Sequence, residues 1–122
     1  MKKIYFSPSC SSSKKTFQFF DQHNIGYIKH NIITEPLTEN EIKMLLQLAP
    51  NGVNDIISSK AKFIRVHNIN IEKLRLPKVY QLIMIEPKIL KRPIIVDLVS
   101  KKIQIGYNED EIEIFLRSNL DD

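Results

Sequence analysis

The chain has a single cysteine, Cys10, among 122 residues. No internal disulfide can form, so a two-thiol redox switch is excluded. Its three glycines, Gly26, Gly52 and Gly106, lie too far apart to build a glycine-rich phosphate loop. The three histidines, His23, His30 and His67, share no ligand spacing with one another or with Cys10. No metal site is expected, and each is read as a surface or helix-end residue. No apolar run approaches the length of a membrane helix, and the N-terminus enters a strand almost at once instead of an export signal. With the unpaired thiol, this leads us to expect a reducing, cytoplasmic setting and no membrane partner. Repeats, low-complexity tracts and direct DNA-reading motifs are also missing. No cofactor is expected.

What is present is an ordinary globular composition, 43% hydrophobic and 26% charged, at a length that suits one domain over residues 1–122. The net charge is +4, unevenly spread. From Ser58 to Arg92 there are nine basic residues against Glu72 and Glu86, whereas from Asn108 onward six acidic residues face only Arg117. The basic middle is read either as a solvated surface or as an electropositive face for an acidic protein, nucleic acid or an anion.

Local signals order the elements. Ile4, Tyr5 and Phe6 form a short strand that Pro8 stops. A helical pattern runs from Cys10, with Phe17 and Phe20 on one face. Ile25 to Ile33 is extended. Thr38-Glu39-Asn40-Glu41 is a capping box followed by Ile42, Leu45 and Leu46 at helical spacing. Val79, Leu82 and Ile83 mark another helix, ending before Pro87. Pro93-Ile94-Ile95-Val96-Asp97 reads as a strand covered on both faces. Lys102-Ile103-Gln104-Ile105 alternates, and a hairpin through Leu98 to Lys101 would pair it antiparallel with that strand. Asn108 to Glu111 repeats the capping device in acidic form before Ile112, Phe115 and Leu116. The expected fold is α/β: a thioredoxin-like mixed sheet with an inserted helical subdomain at about residues 37–91. In such folds a cis-proline opens the third strand and faces the N-terminal thiol site, which assigns that place to Pro93 and brings Arg92 towards Cys10.

Cys10 sits where strand hands over to helix. A thiol at a helix N-terminus is favoured as thiolate by the dipole and free N–H groups, and Lys14 and Lys15 add positive charge one turn on. The competing reading is a small buried hydrophobe. Three residues on stands Ser13, so the motif is C-x-x-S, without a resolving thiol. Adducts with small thiols remain open to it.

Several segments together resemble one family. They are Tyr5-x-Ser7-Pro8-Ser9-Cys10, Asn31-Ile32-x-x-Glu35-Pro36-Leu37, Gly52, Ile56-Ile57-Ser58, Arg92-Pro93-Ile94-Ile95 and Gly106 to Ile112. From about residue 3 to 117 the chain is similar to the Spx-type transcriptional regulators of the arsenate-reductase-like family. The resemblance implies a non-enzymatic stress-response protein that binds the C-terminal domain of the RNA polymerase α subunit. It would contact promoter DNA only within that complex. It implies a polymerase contact at Gly52, and a place near the thiol for Arg92 and the basic residue at position 60, here Lys60. Three departures stand out. Ser13 replaces the second cysteine of the usual switch. Gln47 replaces a frequent arginine of the polymerase contact. The tail Ser118 to Asp122 is acidic, unlike the small apolar tail that feeds such regulators to an ATP-dependent protease. Two other readings are arsenate reductase and a monothiol glutaredoxin-like protein carrying glutathione on Cys10. The first needs a thiolate and several cations. Lys60 replaces an arginine of those enzymes, and Leu98 to Lys102 lacks another.

Overall fold

The computed structural model describes residues 2–116. They order as β1 (Lys2–Phe6), α1 (Ser11–Gln22), β2 (Tyr27–Asn31), α2 (Glu39–Leu48), α3 (Val53–Ile56), α4 (Lys62–Val66), α5 (Leu76–Ile85), β3 (Ile94–Asp97) and β4 (Lys102–Ile105), with three short 3₁₀ turns. The chain divides into two compact units, Ile32–Lys91 and the flanking Met1–Asn31 with Arg92–Asp122. The helical insert expected at about 37–91 falls inside the first of these. The acidic tail and Arg117 lie outside the described residues.

The flanking unit is a four-stranded mixed sheet in the order β2-β1-β3-β4. β1 runs parallel to β2, reached by the α1 crossover, and antiparallel to β3, which turns back into β4. Every residue of β3 is buried, as its uninterrupted apolar run requires. Ile4 and Ile95 are register partners and pack with Phe20, Ile25, Ile112 and Phe115 into one core. Half of the Asn108 device forms: its Oδ1 accepts the backbone N–H groups of Asp110 and Glu111 at 3.0 Å each, while the N-cap of the segment itself is Asp110, without a side-chain cap bond. The segment it starts opens as a 3₁₀ turn, Glu111–Glu113.

Two helices end on the same sequence device, Phe-x-x-x-His-Asn-Ile, at residues 19–25 and 63–69. Asn24 and Asn68 take positive φ, 54° and 50°. The N–H of the following isoleucine reaches back to Phe20 or Ile64, at 2.9 and 3.1 Å, which is a Schellman closure. The histidine rings lie 4.2 and 4.3 Å from the phenylalanine rings. His23 and His67 are thus helix-end residues, as expected. His30 is not: it is buried on β2, its ring 4.8 Å from that of Tyr5. The β1–β2 register sets it opposite Tyr5, while Ile28, two residues earlier, stays exposed.

Lys2 and Asp97 are also register partners. They are 2% and 1% exposed, with Nζ and Oδ2 3.8 Å apart. Asp97 Oδ1 accepts the N–H groups of Val99 and Ser100 across the hairpin turn. Burial opposes the charge of Asp97. The Ser100 and Val99 hydrogen bonds and the Lys2 ammonium outweigh it, and the carboxyl is held below the usual value.

In the helical unit the Thr38 capping box forms with both reciprocal bonds, and Ile42 and Leu45 of α2 are buried. Thr38→Ala should cost about 1 kcal/mol of stability, read from chemical denaturation. A Thr38→Ser variant should recover most of it.

Candidate functional site

The thiol corner is built by two chain segments 82 residues apart. Pro8 lacks an N–H, so β1 cannot continue through it. The chain turns, with the Cys10 N–H donating to the Ser7 carbonyl at 3.2 Å. Cys10 becomes the extended N-cap of α1. It is half-buried, between the two sequence readings. Its Sγ–H donates to the Arg92 carbonyl at 3.8 Å, and the Arg92–Pro93 peptide is cis. Pro93 therefore stands where the fold expectation put it, directly before β3.

Arg92 reaches the corner in a way the sequence did not indicate. Its backbone faces the sulfur, while Nη1 donates to Ser7 Oγ at 2.9 Å. Ser7 is buried, so the guanidinium is anchored to the turn that carries Cys10. Arg92→Ala should leave that hydroxyl without its charged donor and cost about 1.5–3 kcal/mol. Urea titration checks this, and Arg92→Lys should restore only part of the loss because the planar fork is missing.

Ser13 is 1% exposed, and its Oγ has no hydrogen-bond partner. It lies one turn into α1 from Cys10. A helical side chain leans towards the N-terminus, and positions i and i+3 share a face.

The remaining candidates belong to the helical unit. Gly52 is half-exposed and is the N-cap of α3, with φ 61° and ψ −128°, a conformation that side chains with a Cβ avoid. Space around it is open: a Cβ there would meet nothing within 4 Å. Gly52 is thus both open to close approach and held in a conformation that favours glycine. Its turn has an anchor that sequence reasoning missed. Asp55 accepts from the Asn51 backbone N–H at 2.7 Å and from the Asn51 side-chain amide at 3.2 Å. The spacing Asn-Gly-x-x-Asp is the signal that could have revealed it. Gln47 is exposed on α2. Lys60 is exposed in the turn before α4, where its carbonyl accepts from Arg65 Nε at 3.1 Å. Among the described residues, no group of three or more His, Cys, Asp or Glu side chains could hold a metal ion. No described helix is long and apolar enough to cross a membrane.

A cysteine capping the first helix, set against the residue before a cis-proline, on a mixed sheet interrupted by a helical unit, defines the thioredoxin-like thiol proteins. Within that class, the model of the ArsC family matches residues 5–115, and the chain belongs to this family. Its relatives there include the global transcriptional regulator Spx of Bacillus subtilis strain 168. The identity is 42% over 116 residues, covering 95% of this chain and 87% of the relative. Spx of Streptococcus pneumoniae strain R6 is 41% identical, covering 95% and 86%. Among solved structures, arsenate reductase from Vibrio cholerae aligns with a TM-score of 0.77 at 22% identity, over 95% of each chain. At that identity the likeness is one of fold.

Proposed function

We propose that this protein is an Spx-like transcriptional regulator that works by binding, not by catalysis. Its partner is the C-terminal domain of the RNA polymerase α subunit, and it meets promoter DNA inside that complex. The observation that carries the reading is the Gly52 turn. It is a half-exposed, side-chain-free point with open space in front of it, pinned from behind by Asp55. Such a rigid, bare turn lets a second protein approach the backbone closely. Gln47 offers the same partner a neutral amide in place of a cation, which lowers charge steering more than contact area. With one cysteine in the chain, the complex should form in reducing buffer and need no internal oxidation.

Arsenate reduction fits less well. The oxyanion would need several cations beside the thiolate, and among the described residues Arg92 is the one guanidinium with a bond to the thiol corner, through Ser7. The deciding experiment is binding of the isolated α C-terminal domain to the purified chain under reducing conditions, beside an arsenate-reduction assay with a glutathione-coupled system. A complex without turnover supports the proposal. Turnover without a complex overturns it.

A further inference from the structure

We infer that the helical unit carries a binding site for a short peptide with free ends, in the cavity walled by α3, α4 and the 3₁₀ turn Ile71–Lys73. The inference goes beyond polymerase binding and does not depend on it. The cavity has a volume of about 670 Å³, within the range of small-ligand sites. All of its lining residues lie in the unit Ile32–Lys91. Local sequence builds the walls. Asn68 takes φ 50° and closes α4, with the Ile69 N–H on the Ile64 carbonyl at 3.1 Å. Asn70 then caps the 3₁₀ turn, its Oδ1 accepting from the Glu72 N–H at 3.1 Å. Ile64 and Ile71, both buried, supply apolar lining.

Two charged residues line the cavity, Arg65 and Glu72, and they are not joined. Among the described residues neither has an ion-pair partner. Arg65 Nε donates to the Lys60 carbonyl at 3.1 Å. That bond holds the guanidinium and leaves its two terminal nitrogens unused by the described residues. A cation and an anion held apart in one cavity select a ligand with the opposite charges held equally apart. In a free amino acid the ammonium and the carboxylate share one carbon and cannot separate. In a dipeptide or tripeptide they stand at opposite ends. What joins them is peptide backbone, which both donates and accepts hydrogen bonds. The rest of the polar lining, Asn54, Ser59, Asn68 and Asn70, has the same double character, since an amide or a hydroxyl can do either. The isoleucines suit an aliphatic side chain of the peptide. A phosphate-bearing ligand fits less well, because Glu72 would repel it.

The test is a titration of the isotopically labelled full chain, read from backbone amide NMR signals. The probes are alanylleucine, its N-acetylated form, its C-terminal amide and free leucine. Alanylleucine should shift the signals of Asn68 to Glu72 and reach saturation. Acetylation removes the ammonium and amidation the carboxylate, and each should weaken binding at least about tenfold. Free leucine should bind weaker than the dipeptide by a similar factor. Arg65→Gln should bind the free dipeptide no better than the natural chain binds the amide, and should be indifferent to amidation. Glu72→Gln should be indifferent to acetylation in the same way, since charges in direct contact are coupled. Both residues are exposed, and an unchanged amide spectrum away from the cavity checks that each variant folds. The site is overturned if alanylleucine gives no saturable shift at these amides, or if the blocked peptides bind as tightly as the free one. Leucine binding as tightly as the dipeptide overturns the assignment to peptides. Neither result bears on the Gly52 surface, whose failure is read separately with the α C-terminal domain.

Discussion

Gly52→Arg is expected to abolish binding to the polymerase α C-terminal domain, weakening it by at least about 100-fold, or about 2.7 kcal/mol. The substitution does two things, and the structure separates them. At φ 61° and ψ −128° any residue with a Cβ is strained, at a cost of about 1–3 kcal/mol to the fold. Beyond that, a long charged side chain projects into the open space before the turn. Gly52→Ala carries the same backbone cost and almost none of the bulk, because its Cβ touches nothing within 4 Å. Both variants should therefore lose similar stability in thermal melts, while only the arginine variant loses the complex in calorimetric titration. Equal loss of binding in both would make Gly52 a conformational residue alone. Full binding by a folded Gly52→Arg protein would sink the polymerase assignment of this surface.

Asp97→Asn is expected to produce the largest stability loss from a single polar substitution, about 3–5 kcal/mol. Asparagine keeps an oxygen for the Val99 and Ser100 N–H groups but removes the charge opposite Lys2, whose side chain is 2% exposed. The double variant Lys2→Met with Asp97→Asn should be more stable than the sum of the two single losses predicts, since positions in direct contact are coupled. The pH dependence has a definite sign. The folded-state value of Asp97 lies below its ordinary one, so its contribution is complete above about pH 4 and is lost as pH falls through the folded value. The stability gap between the natural chain and Asp97→Asn should shrink on acidification below about pH 4. A gap that stays constant down the acid limb would mean that the charge of Asp97 adds nothing to the fold.

How far the sequence reaches can be judged residue by residue. The Thr38 capping box, the α5 helix before Pro87, the buried run to Asp97 and the hairpin to Lys102 were all legible. Each is specified within a few neighbouring positions, by caps, periodicity or proline, and such signals act before any distant contact exists. The Phe-x-x-x-His-Asn-Ile closures were equally local and present twice, and went unread. Cys10 and Pro93 were placed correctly, but through the expectation of a known fold and not from spacing alone.

What the tertiary structure decided is everything that depends on strand register and burial. A lysine at position 2 of a sequence reads as solvated; only pairing with β3 sets it against Asp97 and closes it off. His30 is buried where the β1–β2 register sets it beside Tyr5. Ser13 reads as a polar residue in a weak first turn, yet packing buries its hydroxyl without an acceptor. Arg92 was expected near Cys10, and only the folded sheet shows how it gets there, with its carbonyl at the sulfur and its guanidinium on Ser7. In each case the partner is distant along the chain, and the energy that selects it comes from excluding water. That term is absent from a local pattern and appears only when the sheet has formed.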